Sequence, residues 1–324
     1  MRLNEIQFPP YLGHTVKVYA INGAKCQMRA DLLVHPPPVD DDYLNLVDYS
    51  FLIVSEHRGQ RVLYDLAFMK DLERHAPPAV QTFVDPGQGI MRIQELHHVP
   101  DTLQVHGLDL SSINALVWSH AHIDHVGDPS VFPSTTTLVV GPGCKTTGYP
   151  QDPTASILDT AFQNRTVQEM DFETADVLTI GGFRAVDYFN DGSFFILYTP
   201  GHTMHHMSAL CRTTPSTWML LAGDICHSAE QMRARPPLLQ NTSNEWTIKE
   251  PLYGLAPGIQ ENLLQAKDSL EKLKAFDNRD DVMVLLAHDA SLLDVLEFYP
   301  NDLNDWKTRG WADNAWSLFL NEQA

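Results

Sequence analysis

Apolar positions along this chain fall mostly in short runs rather than long stripes. Thr15–Ile21, Tyr49–Ser55 and Arg61–Leu66 are rich in β-branched and aromatic residues, which pack well on a pleated surface, and Gly59 separates the last two. They predict strands that open a sheet as a meander or hairpin. Runs of the same kind at Thr137–Val140, Phe183–Tyr188, Phe194–Thr199, Met207–Cys211 and Trp218–Ala222 make both halves strand-rich. Gly258–Phe276 is different. Its apolar residues Ile259, Leu263, Ala266, Leu270 and Leu273 recur at the spacing of one helix face, and Asp268 with Lys272 forms an i,i+4 pair. Beyond it, Val282–Ala287 predicts a buried strand and Ser291–Phe298 a covering helix.

Two segments break the pattern. The Pro-rich His35–Pro38 predicts a surface loop, and Arg74–Gln94 carries Pro77, Pro78, Pro86, Gly87 and Gly89, which predicts an irregular rim or lid over a site. No repeat of fixed period and no low-complexity tract occurs.

Composition narrows the function classes. With 324 residues, 44% of them hydrophobic and 19% charged, the chain is folded and large enough for two ordinary domains or one with insertions. Asp and Glu outnumber Lys and Arg by 41 to 22, a net charge of −19 that repels a phosphate backbone or an anionic membrane surface. Nucleic acid and membrane are therefore excluded as partners. The acidic excess is spread out, with only Asp40, Asp41 and Asp42 forming a run. No stretch approaches the ~18 apolar residues of a membrane span, and Met1–Pro10 lacks the pattern of a secretory leader, so a cytoplasmic location is expected. Cys26, Cys144, Cys211 and Cys226 show no CxxC pairing and predict reduced, buried thiols.

The histidines carry the chemistry. The apolar run Ala115–Trp118 ends in Ser119-His120-Ala121-His122-Ile123-Asp124-His125, a strand feeding a loop with three imidazoles and a carboxylate. Such a donor set without cysteine suits a divalent first-row metal and not a closed structural zinc finger. In an extended segment His120, His122 and Asp124 share one face, and a turn at Asp124 aims it and His125 at a second point, so one loop feeds two metals. Three later strands also end in a small residue followed by a ligand type: Pro200-Gly201-His202, Ala222-Gly223-Asp224 and Leu286-Ala287-His288.

These motifs resemble the metallo-β-lactamase superfamily, over about Tyr49 to Phe298. The resemblance implies an α/β fold, a four-layer αββα sandwich, in a single domain over 1–324 with N- and C-terminal extensions. It implies one metal on His120, His122 and His202, a second on Asp124, His125 and His288, and Asp224 bridging, with Asp65 as a structural aspartate. Two divalent ions are expected, zinc first and manganese or iron as alternatives. Asp224 stands where class B1 β-lactamases have cysteine, so the chain looks more like the lactonase, glyoxalase II and thioesterase branches. Trp118-Ser119-His120, Gly127-Asp128-Pro129-Ser130 and Ala287-His288-Asp289-Ala290-Ser291-Leu292 further resemble fungal lactamase and lactonase-like members.

The implied function is hydrolytic opening of a lactam or lactone ring of a small apolar or aromatic molecule by a metal-bridging hydroxide. A thioesterase and an iron-containing, persulfide dioxygenase-like redox member are the alternatives, and the full set of seven ligands weighs against the second. Asp124 is expected to orient the hydroxide and pass a proton to the leaving atom. Quorum-quenching lactonases carry a tyrosine three residues after the bridging aspartate; here His227 occupies that place and is the second catalytic candidate, as a hydrogen-bond donor. His205 and His206 are adjacent on a strand and point to opposite faces, so at most one faces the metals, and neither is expected to bind one. Trp306, Trp311 and Trp316 are expected to cap the edge of the sandwich.

Overall fold

The computed structural model of the protein describes residues 6–39, 42–174, 176–233 and 251–321. Asp40 and Asp41 of the acidic run and the first five residues of the opening segment lie outside them. In the first half of the chain the strands are β1 (Lys17–Arg29), β2 (Val34–His35), β3 (Tyr43–Ser55), β4 (Gln60–Tyr64), β5 (Met91–Leu96), β6 (Ala115–Val117), β7 (Thr137–Val140) and β8 (Val167–Glu169). The second half supplies β9 (Leu178–Ile180), β10 (Phe183–Asp187), β11 (Phe194–Tyr198), β12 (Met207–Thr214), β13 (Thr217–Gly223), β14 (Gly254–Leu255) and β15 (Val282–Leu286).

They form one sheet in the order β5-β1-β3-β4-β6-β7-β8 and a second in the order β15-β13-β12-β11-β10-β9, while β2 pairs with β14. Alternation along each strand then makes layers. Val47, Tyr49, Phe51 and Ile53 of β3 face Ile196, Ala209, Met219 and Leu285 of the second sheet in the central core. Phe195, Leu197, Leu210 and Leu220 point the other way, onto Ala266, Leu270, Leu273 and Phe276 of the helix Leu263–Asp277. On the outer face of the first sheet, Leu52, Leu63, Leu116 and Leu138 pack with Val99 and Leu103 of the helix Val99–Val105. Helices thus cover both outer faces of two mixed sheets, the α/β sandwich that the motifs imply.

Several expectations need correction. β1 runs on to Arg29 because a bulge between Asn22 and Ala24 carries it past Gly23, a turn signal in sequence. At Gly23 the backbone approaches Ala67 so closely that a Cβ would lie 2.2 Å from the Ala67 Cβ. The Arg74–Gln94 segment is less irregular than its prolines suggest, holding the short helix Gln81–Val84 and the start of β5. Ser291–Phe298 is not a helix. A 3-10 turn covers Ala290–Asp294, after which Phe298 bridges to Ala20 and Tyr299 N donates to Ala20 O, drawing the chain out along β1. The long helix starts at Leu263, where the Asn262 side chain accepts from Gln265 N at 3.2 Å. Trp306 and Trp311 are buried in the central core at the end of the sandwich, and Trp316 is half-buried against the Arg233 guanidinium.

The topology positions a site. β4, β6 and β7 are mutually parallel neighbours, and so are β13 and β15. β11 is antiparallel to β12, which is antiparallel to β13, so β11 runs the same way as β13. The C-terminal ends of β4 and β6 therefore share one edge of the first sheet, and those of β11, β13 and β15 share one edge of the second. Backbone bonds stitch these edges together: Met207 N to Ser119 O at 2.8 Å and Tyr49 N to Ala287 O at 3.0 Å.

Candidate metal centre

The candidate residues sit in the connections that follow those strand ends. Past β6, Ser119 N donates to Asp65 Oδ1 at 2.6 Å, the chain bends through residues 119–122, and the short helix Ile123–Val126 begins after His122. His120 and His122 therefore project from the bend ahead of the helix, while Asp124 and His125 project from the helical turn. Asp65 follows β4, His202 follows β11, Asp224 follows β13 and His288 follows β15. Gly223 makes the turn into Asp224 possible. Its φ is +56°, and a Cβ there would sit 2.7 Å from His206 Nε2.

The seven side chains form two clusters. The donor atoms of His120, His122, His202 and Asp224 lie within 4.8 Å of one another, and so do those of Asp124, His125 and His288. Asp224 reaches both. Its Oδ2 is 3.5 Å from His202 Nε2 and 3.8 Å from His120 Nε2, while its Oδ1 is 3.1 Å from His288 Nε2 and 3.4 Å from His125 Nε2. Asp124 is 3.8 Å from His125 Nε2 and 3.7 Å from His288 Nε2.

Contacts behind the clusters fix the rings. His125 Nδ1 meets Asp65 Oδ2 at 2.8 Å, His288 Nδ1 donates to Val47 O at 2.7 Å, and His120 Nδ1 lies 3.0 Å from Ser119 Oγ. With Nδ1 engaged outward, each Nε2 is left facing inward, the arrangement that orients metal ligands. His206 holds Asp224 from behind: its Nε2 accepts Asp224 N–H at 2.9 Å and its Nδ1 meets Thr199 Oγ1 at 2.7 Å. Burial pushes His206 down to about 3, so the ring is neutral and keeps the lone pair this contact needs.

A cation fits this donor set. His120 Nε2 and His202 Nε2 both converge on His122 Nδ1, at 2.9 and 3.0 Å, crowding three imidazole nitrogens together. His125 Nε2 and Asp224 Oδ1 are buried without a hydrogen-bond partner, a costly state for polar atoms. Burial and the neighbouring imidazoles hold His120 and His202 well below the usual range, the neutral form that binds a metal. Burial opposes charge on Asp224, but His288, His125 and His227 outweigh it and keep the carboxylate ionised.

His227 stands beside the clusters, buried, with Nε2 3.3 Å from Asp224 Oδ2 and its ring stacked parallel to His288 at 5.8 Å. The backbone there is locked, since Gln231 Oε1 accepts from His227 N while its Nε2 donates to Leu33 O and Gly254 O. His205 lies outside both clusters, its Nε2 accepting Ala121 N–H at 3.2 Å.

A cavity of about 390 Å3 opens onto His122, Asp124, Asp224, His227 and His288. Its far wall is Met28, Leu33, Leu46, Phe68, Phe83 and Met91, and no lysine or arginine lines it among the described residues. The Arg74–Gln94 segment thus supplies part of the wall, through Val80, Phe83 and Met91. Sequence reasoning missed His206 and the Val47 carbonyl as supports. Strand alternation separates His205 from His206 but does not tell which faces inward, and a backbone carbonyl leaves no mark in a sequence.

Comparison with known proteins agrees with this geometry. A family model described as the metallo-beta-lactamase superfamily matches residues 81–288. The chain is 36% identical to the gamma-lactamase FDB1 of Fusarium pseudograminearum, over 98% of this chain and 86% of that protein. It is 34% identical to the metallo-hydrolase mfmC of Annulohypoxylon moriforme, over 97% and 90%. The crystal structure of a quorum-quenching N-acyl homoserine lactone hydrolase superposes with a TM-score of 0.62 over 89% of this chain and 98% of that one; at 15% identity it speaks for the fold alone. The chain belongs to the metallo-beta-lactamase superfamily and is a metal-dependent hydrolase of that family.

Proposed function

We propose that this protein is a dinuclear metal hydrolase that opens a lactam or lactone ring in a small molecule with an apolar or aromatic body. The observation that carries the reading is Asp224, a buried carboxylate with one oxygen toward each histidine cluster. The gamma-lactamase and metallo-hydrolase relatives support the reaction class. His120, His122 and His202 would hold one ion, Asp124, His125 and His288 the other, and Asp224 both; nitrogen and carboxylate donors suit zinc, with manganese or iron as alternatives. Two such ions lower the pKa of bound water toward ~7 and polarise a carbonyl group.

The protein's own groups do the rest. The apolar wall holds the body of the substrate and excludes bulk water, which strengthens every electrostatic interaction at the ring. Asp124 is the most exposed carboxylate of the centre, at 26%, and lines the cavity, where it takes a proton from water and returns one to the leaving atom. His227 lines the same cavity and offers a ring N–H to the substrate carbonyl oxygen. The net reaction adds water across the acyl C–N or C–O bond. One domain carries all of this, with the segments before β1 and after β15 as extensions. The four buried free cysteines suit a reducing compartment, the cytoplasm.

The test is elemental analysis beside hydrolysis of a lactone, a benzoxazolinone-type lactam, a β-lactam and a thioester. About two zinc or manganese ions per chain with chelator-sensitive ring opening is the expected outcome. The Asp224→Asn variant should then lose metal and at least ~100-fold in kcat/KM. One iron without hydrolysis, or turnover of the thioester alone, would overturn the assignment.

A further inference from the structure

Phe83 breaks the pattern of its own segment. On the short helix Gln81–Val84 and just before it, Val84 and Val80 turn inward and pack in an apolar cluster with Phe68, Leu72 and Met91. Phe83 joins none of the apolar clusters and stands 42% exposed, yet it lines the cavity that opens onto Asp124, Asp224 and His288. The backbone that carries it is pinned on both sides. Gln81 Nε2 donates to Ala76 O at 2.7 Å, Asp85 N donates to Gln81 O at 2.9 Å, and the Tyr43 hydroxyl donates to Gly89 O. A fixed frame thus presents a half-covered phenyl ring at the active-site cavity, and an apolar group that covers the rest of it gains by removing that area from water.

The charge of the wall sets the other half of the selection. Asp124 and Asp224 belong to the metal centre. Apart from them and the histidines, the cavity is lined among the described residues by apolar side chains, Gly258 and the hydroxyl of Ser156, with no lysine or arginine. A carboxylate carried on the body of a substrate would lose its water against this wall and find no cation in exchange. We propose that Phe83 is the specificity-determining residue of the cavity: its ring covers the body of the substrate and selects bodies that are apolar and uncharged. The inference rests on the hydrolase reading above, and it names the residue that chooses the substrate and the charge that the substrate must lack.

The test uses the metal-loaded protein and three γ-lactones: the bare ring, the ring with a phenylethyl body and the ring with a 4-carboxyphenylethyl body. The matching γ-lactams replace them if the lactam is the ring that is opened. The native protein should favour the phenylethyl compound and leave the carboxylate the poorest. Phe83→Ala should cut the phenylethyl-to-bare ratio of kcat/KM about five- to tenfold, the range that covering half a phenyl ring gives, with the loss in KM and not in kcat. Phe83→Leu, apolar and nearly as large, should keep most of the ratio. Phe83→Arg, at a position open to solvent, should raise kcat/KM for the carboxylate about tenfold, as one hydrogen bond between charged groups gives, and lower it for the phenylethyl compound. Dissociation constants of the ring-opened products, measured by calorimetry, should follow the same order. A phenylethyl-to-bare ratio that survives Phe83→Ala, or a native preference for the carboxylate, overturns this inference and leaves the hydrolase standing. Loss of all ring opening in the native, metal-loaded protein overturns both.

Discussion

Asp65 shows how much of this centre rests on residues outside it. It is buried, with φ at +58°, and one carboxylate restrains two groups: Ser119 N–H, where the histidine loop begins, and the ring of His125. Burial raises its pKa, and His125 counters part of that rise. Replacing it with asparagine keeps the shape and removes the charge that orients His125, so the metal proposed for Asp124, His125 and His288 should bind ~10- to 100-fold more weakly while the fold survives. Chelator competition measures this directly, and unchanged affinity would mean that packing alone orients the ring. At this scale the sequence was most readable where donors are dense. His120 to His125 announce themselves within six positions, and His202, Asp224 and His288 each follow a strand that ends in a small residue. Thr199, His206 and the Val47 carbonyl matter as much to the geometry, but they act through bonds that exist only once β12 and β13 pair and the two sheets meet.

Among elements, the helix Leu263–Asp277 braces the second sheet, and the loop of His202 leans on its start: a Cβ at Gly201 would lie 2.1 Å from Ala266 N. Leu273 is fully buried between this helix and the sheet. Leu273→Ala should cost about 2–5 kcal/mol, and Asn262→Ala, which removes the cap, about 1 kcal/mol. Urea unfolding midpoints will rank them, and equal effects would argue that packing does not dominate here. This helix was legible because its apolar spacing and its packing agree. Ser291–Phe298 misled because Leu292, Val295 and Leu296 repeat at helical spacing, yet the segment ends in a bridge to β1 that only the folded chain supplies. β5 was hidden for a different reason: its alternation begins inside a stretch whose prolines and glycines lie just upstream.

At the scale of the whole molecule, the clusters draw on both sheets. His120, His122, Asp124 and His125 come from the first, and His202, Asp224 and His288 from the second. Removing metal therefore loosens the joint between the sheets, not only the chemistry. At a free metal concentration 100 times the dissociation constant, binding contributes about 2.7 kcal/mol of stability, so chelation should lower the melting temperature of the native protein by several degrees. The Asp224→Asn variant should respond far less, and equal shifts would show that chelation acts elsewhere.

Every strand of the first sheet precedes Thr174 in the chain and every strand of the second follows it. The molecule can accordingly be regarded as two polypeptides that happen to be joined, meeting face to face with the His/Asp metal site as mortar at their seam. If the backbone were cut between β8 and β9, the pieces should behave as a metal-gated heterodimer, associating more tightly in zinc than in chelator. By reciprocity, docking of one piece would then raise the other's affinity for the ion by the same factor.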